Sequence, residues 1–358
     1  MTTPPPVKPL HILAWPAYSN KMHNPYNFLL CSALESSGCK VVEFSYQNLL
    51  RKPFNILHYH WPDSFVAGGS LPKTIRRMMI LIAILIITRL KGARSVWTVH
   101  NLMPHDNPNS KFILSFLKLF ARACDGLIFL SNSSLKECEA VYGTLNHSKI
   151  AIIPHGHYRD MYPSRLTKES ALSQLGLGEH AHKTILLFFG KIRSYKNVEA
   201  LINSFQELKR PNDVLLLIAG SAENPTYKEK IHNLVQDSPS ILLHEKFIPD
   251  EDIPLFFGAA DVAVLPYKHI LNSGSAILSL GFDCPVLVPS IGSMPELQKD
   301  VGTDAVHLYD GELSPEKLED MISYCTKRSR DQPISLERYD WPVIANQLVS
   351  FFTRLNKK

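Results

Sequence analysis

Short apolar runs alternate with helical patterns along nearly the whole chain, and this alternation occurs in two separate series. The first series has strand-like runs at residues 11–15, 40–44, 55–60, 95–100, 126–130 and 150–154. The second series has them at residues 183–190, 213–220, 240–244, 262–266 and 284–289. Strands that alternate with helices predict a parallel sheet covered on both faces. Because 358 residues are too many for one core, the sequence predicts an α/β protein with two doubly wound domains.

A polar stretch without a strand pattern, residues 164–182, separates the two series, and we place the linker there. The predicted domains span residues 1–165 and 166–335, and residues 336–358 form a C-terminal helix that packs back on the N-terminal domain. Ligands of doubly wound sheets bind at the carboxyl ends of the strands. Two such domains facing each other are therefore expected to hold ligands in the cleft between them.

Charge is distributed unevenly between the two halves. Residues 1–165 hold 18 Lys and Arg against 8 Asp and Glu, whereas the remainder holds 20 basic and 25 acidic residues. A basic half indicates an anionic partner, which leaves nucleic acid, a membrane surface or a phosphorylated ligand. Nucleic acid is the least favoured of these, because the basic residues alternate with aliphatic residues more than with aromatic ones.

Two basic apolar segments help to choose among these partners. Residues 78–87 are apolar and flanked by arginine and lysine, but they are too few to span a bilayer, which takes about 20 residues. Residues 111–122 mix Lys and Arg with Phe and Leu at helical spacing. Packing against a sheet would account for the apolar residues of the first segment, whereas binding at a membrane interface would account for both segments. Together with the basic half, they predict peripheral contact with the cytoplasmic membrane surface.

The cysteines and the N-terminal residues both indicate a cytoplasmic location. None of the six cysteines forms a CxxC pair, so we interpret them as reduced thiols. The Pro-rich start has no basic and apolar pattern of a signal peptide. The predicted location is cytoplasmic, on the inner face of the plasma membrane.

Two cationic loops in the second series predict a diphosphate site. Gly190 ends one strand and is followed by Arg193 and Lys196, whereas Lys268 follows another strand and precedes the small polar residues 272–275. Arginine offers a planar fork to phosphate oxygens, and a helix N-terminus favours anions. The chain has no GxxxxGK[ST] or GxGxxG loop, which disfavours ATPase and dinucleotide functions. The predicted donor-binding residues are Gly190, Arg193, Lys196, Tyr267, Lys268, Asn272, Ser273, Gly274 and Ser275, with Phe247 and Ile248 beside the nucleotide base.

Histidines and carboxylates follow three strands of the first series, at residues 58–63, 100–106 and 155–160. No Cys and His set has metal-ligand spacing, so no metal is predicted. Imidazole or carboxylate near a sugar hydroxyl can act as a general base. The candidates for this base are Asp106 or His105, followed by Asp160 and His100.

Motifs along nearly the whole chain together resemble the GT-B glycosyltransferases. They lie at residues 24–26, 56–62, 98–105, 155–160, 189–196, 265–274 and 338–342. Within that architecture, the chain is similar to bacterial exopolysaccharide β-mannosyltransferases that extend a polyprenyl-diphosphate-linked oligosaccharide. The resemblance implies two Rossmann-like domains facing across a cleft, GDP-mannose as donor, an inverting transfer and peripheral membrane attachment. The residues expected to bind the glycolipid acceptor are Asn24, Tyr26, His60, Asp63, Asn101, His155, His157 and Arg159.

One departure from the wider GT-B pattern concerns the donor. Many retaining members carry two glutamates eight positions apart, but Ile270 and Leu278 stand at the corresponding positions. Lys268 and residues 272–275 are therefore expected to take over donor binding without a metal, and the absence of a DxD motif agrees. Two alternatives stay open at this point. One is the same fold with a UDP-sugar donor, as a glucosyl- or glucuronosyltransferase, and the other is a non-catalytic GT-B-like binding subunit.

Overall fold

The structure, a computed structural model, describes residues 9–22, 24–102, 111–162, 166–209, 211–330 and 332–357. Its strands are β1 (His11–Trp15), β2 (Lys40–Glu43), β3 (Ile56–Tyr59), β4 (Arg94–Val99), β5 (Gly126–Phe129), β6 (Ile150–Ile152), β7 (Thr184–Phe189), β8 (Val214–Ala219), β9 (Ile241–His244), β10 (Val262–Val264), β11 (Val286–Pro289) and β12 (Val306–Tyr309). Its α-helices are α1 (Tyr26–Ser36), α2 (Tyr46–Arg51), α3 (Pro62–Val66), α4 (Leu71–Leu90), α5 (Lys111–Ala123), α6 (Asn132–Tyr142), α7 (Lys168–Gln174), α8 (Val198–Gln206), α9 (Pro225–Val235), α10 (Ile253–Ala259), α11 (Gly274–Gly281), α12 (Met294–Val301), α13 (Pro315–Lys327) and α14 (Trp341–Asn356).

The strands form two parallel six-stranded sheets, in the orders β2-β1-β3-β4-β5-β6 and β12-β11-β10-β7-β8-β9. The predicted α/β class and the two strand series are thereby confirmed. Strand β12 was missed by the sequence prediction, because its short run contains a histidine and borders acidic turns. Strands β7 and β8 are almost entirely buried, which explains why their sequences are continuous apolar runs rather than alternating ones.

The chain divides into two compact units. Unit 1 comprises Met1–Gly156 and Glu337–Lys358, and unit 2 comprises His157–Leu336. The first division therefore falls nine residues earlier than the predicted boundary at 165, and the second falls after Leu336 rather than after residue 335. The guanidinium of Arg159 explains the earlier division, because it donates to Asp283 and to the carbonyl of Gly281 within unit 2.

The predicted linker at residues 164–182 is wrong for most of its length. Helix α7 occupies the middle of it and buries Ala171 and Leu172 completely. The side chain of Lys168 in this helix pairs with Asp261 at 2.6 Å. A short amphipathic helix with one partly buried ion pair carries few apolar residues, so its sequence resembles that of a linker.

The sheet of unit 1 is covered on both faces. One face packs against α4 and α5 around Trp97 and Phe120, both almost fully buried. The other face packs against α1 and α14 around Leu30 and Phe352. Helix α14, from the C-terminal end of the chain, thus packs in the core of unit 1.

Helix α4 has an apolar face that no other described residue covers. Thr74, Met78, Leu81 and Leu85 face the core. A second set of large apolar side chains on the same helix is exposed: Leu71, Ile75, Met79, Ile82, Ile86 and Leu90. At 100° per residue these six positions fall within about 100° of the helix circumference, so they form one continuous stripe. None of the described helices is long and apolar enough to cross a bilayer.

Candidate functional site

The turn after β7 brings a lysine and a serine against one glycine. Gly190 has a φ of +118°, a conformation that glycine adopts without strain. A Cβ atom at Gly190 would lie 2.9 Å from Nζ of Lys196 and 3.3 Å from Oγ of Ser275. The backbone conformation therefore favours glycine, and a Cβ atom here would displace the ammonium group of Lys196. The ammonium group and the hydroxyl group meet at the carboxyl end of the central strands of unit 2.

The two cationic loops predicted from the sequence are in direct contact. The backbone N–H of Lys268 donates to the carbonyl of Tyr195 at 2.9 Å. The Tyr195 ring stacks on the ring of Tyr267, with centroids 6.5 Å apart and planes 17° apart. Tyr195 was not among the predicted site residues, although its place between Arg193 and Lys196 was a signal. The structure thus joins the segments 190–197 and 265–275 into one surface, called here the donor loops.

The first turn of α11 completes the donor loops. Ser273 caps the helix by accepting from the N–H of Ala276 at 3.0 Å, and its Oγ lies 2.8 Å from the buried hydroxyl of Tyr267. Gly292 supports this loop from behind, because a Cβ there would lie 1.9 Å from the carbonyl oxygen of Ile270. The first N–H groups of a helix have no acceptor within the helix. Those of Gly274 and Ser275 are therefore suited to bind an anion beside the hydroxyl of Ser275.

The ammonium group of Lys196 is the least hydrated cation of the donor loops. The residue is 8% exposed. Burial, and then the charges of Arg193 and Lys191, lower the pKa of Lys196 to about 8. Within the described part of the chain, no carboxylate lies within ion-pair distance of its Nζ. A buried cation without a counter-ion is costly, and such groups mark functional sites.

The remaining predicted donor residues differ in exposure. Lys268 is exposed and Arg193 is half-buried. Phe247 presents 59% of its surface to solvent, whereas Ile248 is buried. The ring of Phe247 is thus accessible to a ligand, and the place of the two residues beside the nucleotide base stays a prediction.

Four histidines of unit 1 form a cluster with aromatic rings at the carboxyl ends of β3, β4 and β6. The ring of His60 lies 4.2 Å from that of His58, and its Nδ1 lies 3.2 Å from Nε2 of His100. Nε2 of His58 lies 2.8 Å from the hydroxyl of Thr98. The ring of Tyr26 contacts the rings of His60, His100 and His155. We call these residues the histidine cluster.

Burial keeps the histidine cluster neutral. It lowers the pKa of His58 to about 3 and that of His155 to about 4, and it lowers the pKa values of His60 and His100 well below the ordinary range. Mutual repulsion between the rings adds to this effect for His60 and His100. The imidazoles are therefore uncharged at neutral pH, so each has a lone pair on one ring nitrogen, and the same burial makes each a weaker base than a free imidazole.

His100 is held on three sides. The indole of Trp61 stacks on it, with centroids 4.6 Å apart and planes 23° apart. The ring of Tyr26 meets it edge-on at 5.1 Å, and His60 contacts its Nε2. His100 is half-buried, whereas His60 is fully buried. Trp61 was not among the predicted site residues, although it directly follows His60 at the end of a strand.

Asp63 is a fully buried carboxyl group in the first turn of α3. Its Oδ1 has no hydrogen-bond partner among the described residues, and the nearby side chain of Asn101 partly offsets the effect of burial on its pKa. Burial raises the pKa of Asp63 to about 6. The predicted acceptor residues Asp63 and Asn101 are thus adjacent.

The other predicted residues have different surroundings. Asn24 accepts from the N–H of Tyr26 at 3.1 Å and so fixes the start of α1. His157, Arg159 and Asp160 belong to unit 2, whereas the histidine cluster belongs to unit 1. The guanidinium of Arg159 is engaged by Asp283 and by carbonyl groups, so it holds the chain onto unit 2. The predicted bases His105 and Asp106 lie outside the described residues.

Two glycosyltransferase families match the two halves of the chain. The family described as "Glycosyltransferase Family 4" matches residues 28–158, and the family described as "Glycosyl transferases group 1" matches residues 183–326. The first match covers most of unit 1, including β3 and β4, and the second covers the donor loops. Together with the two parallel sheets, these matches identify the chain as a glycosyltransferase with the GT-B fold.

The similar proteins are also glycosyltransferases. The chain is 27% identical to the GDP-mannose:glycolipid 4-beta-D-mannosyltransferase of Xanthomonas campestris pv. campestris over 327 residues, which cover 91% of this chain and 86% of that protein. It is 22% identical to the lipopolysaccharide 1,2-N-acetylglucosaminetransferase of Salmonella typhimurium over 71% of each chain. The resemblance inferred from the sequence motifs is thereby confirmed.

Solved structures share the fold at low sequence identity. Sucrose-phosphate synthase from Thermosynechococcus elongatus is 17% identical, with a TM-score of 0.68 over 97% of this chain and 99% of that one. Anabaena Alr3699/HepE in complex with UDP and glucose is 14% identical, with a TM-score of 0.66 over 96% of this chain and 99% of that one. These likenesses establish the GT-B architecture.

Proposed function

We propose that the protein transfers mannose from GDP-mannose, with inversion, to a polyprenyl-diphosphate-linked oligosaccharide in bacterial exopolysaccharide assembly. The observation that carries this proposal is the buried Lys196, whose ammonium group meets Gly190 and Ser275 at the donor loops. The Xanthomonas relative, named for GDP-mannose and a glycolipid, supports the choice of donor and acceptor.

In this function the donor loops stabilise the leaving nucleoside diphosphate. Lys196, Arg193 and Lys268 supply positive charge, and the first N–H groups of α11 supply hydrogen bonds. Negative charge develops on the diphosphate as its bond to the sugar breaks, and preorganised donors at that place lower the barrier. We propose that these groups neutralise the charge without a metal ion.

Inversion requires one direct displacement at the anomeric carbon. The acceptor oxygen forms its bond to that carbon while the carbon–oxygen bond to the diphosphate breaks and its electron pair leaves with the diphosphate. A base takes the proton of the acceptor hydroxyl. Asp106 and His105 stay predictions for this base, as does Asp160, whereas His100 is the candidate whose surroundings support the role. It is neutral, half-buried and firmly oriented.

A thermal-shift panel tests the donor. GDP, GDP-mannose, UDP, UDP-glucose and UDP-glucuronate would each be added with Mg²⁺ and with EDTA. A ligand that binds only the folded state raises the melting temperature by mass action. Stabilisation by the two guanine nucleotides in EDTA is expected. Stabilisation by uridine nucleotides alone would indicate that the donor is a UDP-sugar rather than GDP-mannose. No change of melting temperature with any nucleotide would favour a non-catalytic subunit.

The membrane surface is proposed as the place where the acceptor is met. Besides the exposed stripe of α4, helix α5 exposes two large apolar side chains, Phe112 and Leu119, which are 49% and 65% exposed. Residues 44–124 contain 11 Lys and Arg but only 2 Asp and Glu, so the surroundings of the stripe attract anionic lipids. An apolar helix face flanked by cations fits the headgroup region of a bilayer.

Vesicle flotation tests this membrane contact. Full-length protein would be mixed with phosphatidylglycerol or phosphatidylcholine vesicles. Preferential flotation with the anionic vesicles is expected. The double variant Met79→Glu and Ile86→Glu should weaken binding roughly 10- to 100-fold, because two apolar side chains no longer enter the interface. Asn233→Glu, on an exposed helix of unit 2, is the control. Equal flotation of all three proteins would contradict the proposal.

A further inference from the structure

We infer that His60 is a positioning residue for His100, and that the two imidazoles act as a pair when the acceptor hydroxyl is deprotonated. This inference rests on the proposed function, because it assumes a transfer to a hydroxyl group. It starts from the contact between Nδ1 of His60 and Nε2 of His100, which lie 3.2 Å apart.

The contact decides which nitrogen of His100 is available. A neutral imidazole carries one N–H group and one lone pair. When Nε2–H of His100 donates to Nδ1 of His60, the lone pair of His100 is on Nδ1. That nitrogen can then take the proton of the acceptor hydroxyl. His60 therefore holds His100 in the tautomer that works as a base, in the way that a hydrogen-bond acceptor orients a catalytic imidazole.

The side chain of His60 makes no other hydrogen bond among the described residues. It is fully buried, and when its Nδ1 accepts from His100 the proton of its own neutral ring is on Nε2, a buried N–H group with no partner in the described part of the chain. A purely structural residue at this buried position would be cheaper as an apolar side chain. Packing between the ring of His58 and the ring of Tyr26 fixes the imidazole of His60 toward His100.

The pair also stabilises the charge that forms in the reaction. The acceptor oxygen bonds to the anomeric carbon, the electron pair of the broken bond leaves with the diphosphate, and the hydroxyl proton moves to Nδ1 of His100. His100 is then an imidazolium whose Nε2–H donates to Nδ1 of His60. The face of Trp61, stacked 4.6 Å from His100, attracts this cation. The positive charge thus has two partners that the neutral ring already contacts.

Two variants of similar volume separate positioning from packing. His60→Asn keeps an acceptor oxygen near the place of Nδ1, whereas His60→Leu removes it and suits an apolar core. We expect His60→Leu to lower kcat at least about tenfold, which is a part of the ~10²- to 10⁴-fold rate acceleration that a general base contributes. The Kd of GDP should stay unchanged. His60→Asn should recover most of the lost rate, although it is the more polar variant.

The assay uses full-length protein, radiolabelled GDP-mannose and phytanyl-diphosphate oligosaccharides ending in glucose, mannose or glucuronic acid. Melting temperatures of both variants are measured first, and His100→Ala is included as the variant without the base. Equal rates for the Asn and Leu variants, or a faster Leu variant, would overturn the positioning role. Full activity of His100→Ala would overturn the pair. Failure of the proposed function is a separate result, because wild-type protein would then transfer no mannose to any of these acceptors.

Discussion

The carboxyl edges of the two sheets carry opposite kinds of side chain. In unit 1 this edge holds imidazoles packed against aromatic rings, and burial keeps them neutral. In unit 2 it holds cations at glycine turns and a helix N-terminus. The same topology therefore supplies neutral proton acceptors in one unit and positive charge in the other. A glycosyl transfer needs both, a base for the acceptor and a charged site for the leaving diphosphate.

Lys268→Ala tests the unit 2 side of this comparison with the largest expected effect on turnover. We expect kcat to fall about 100-fold, because one charge that stabilises the leaving diphosphate is lost. Lys246→Ala, an exposed lysine beyond β9, is the matched control. A near-normal rate for Lys268→Ala would remove this residue from the donor site.

Lowering the pH tests the neutral histidines of unit 1 through the stability of the folded protein. The folded-state pKa of His58 is depressed, so the unfolded chain binds more protons, and the free energy of unfolding falls as pH drops below 6.5 toward 3. At pH 5, keeping His58 neutral should by itself lower the free energy of unfolding by about 2 kcal/mol relative to pH 7.5. Urea unfolding of wild-type protein and of His58→Gln at pH 5 and 7.5 measures this. An equal pH dependence in both proteins would contradict the assigned burial effect.

Raising the pH should weaken the binding of GDP to the donor loops, by at most about tenfold per pH unit. Lys196 has a pKa of about 8, so it loses its charge above that pH unless a bound diphosphate retains the proton. The affinity for GDP should therefore fall between pH 8 and 10 in the wild type. In Lys196→Met the remaining affinity should be nearly constant over this range, and a wild-type-like slope in that variant would contradict the assignment.

Trp61→Leu should have the smallest effect, a loss of kcat of several-fold. A cation–π contact is worth about 0.5–2 kcal/mol, and the developing imidazolium of His100 would lose it. Trp61→Phe keeps a ring face and is the control. If the Phe variant were as slow as the Leu variant, stacking on His100 would have no catalytic value.

The sequence predicted the folding pattern better than it predicted the chemistry. Eleven of the twelve strands and the start of α11 follow from apolar runs and small polar turns, because backbone pattern is a local property. The division between units depended on Arg159, whose partners lie far along the chain. Local polarity therefore placed the boundary too late.

The candidate sites show the same limit. The two donor loops were named in advance, but the contact between them depends on a backbone hydrogen bond from Lys268 to Tyr195. The histidines were also named, whereas Trp61 and the pairing of His60 with His100 depend on three-dimensional packing. A sequence shows which groups follow a strand, and only the fold shows which of them touch.

Calorimetric titration of GDP into wild-type protein, Lys196→Met and Lys299→Met tests the central claim most directly. Lys299 is an exposed lysine on α12 of the same unit and lies outside the donor loops, so it is the matched control. Because charge-assisted hydrogen bonds are worth about 1.5–3 kcal/mol, Lys196→Met should weaken GDP binding at least about tenfold. It should also melt no lower than wild type, since a costly buried charge is removed, and Lys299→Met should bind GDP almost normally. Wild-type affinity in Lys196→Met would contradict the assignment of the donor site.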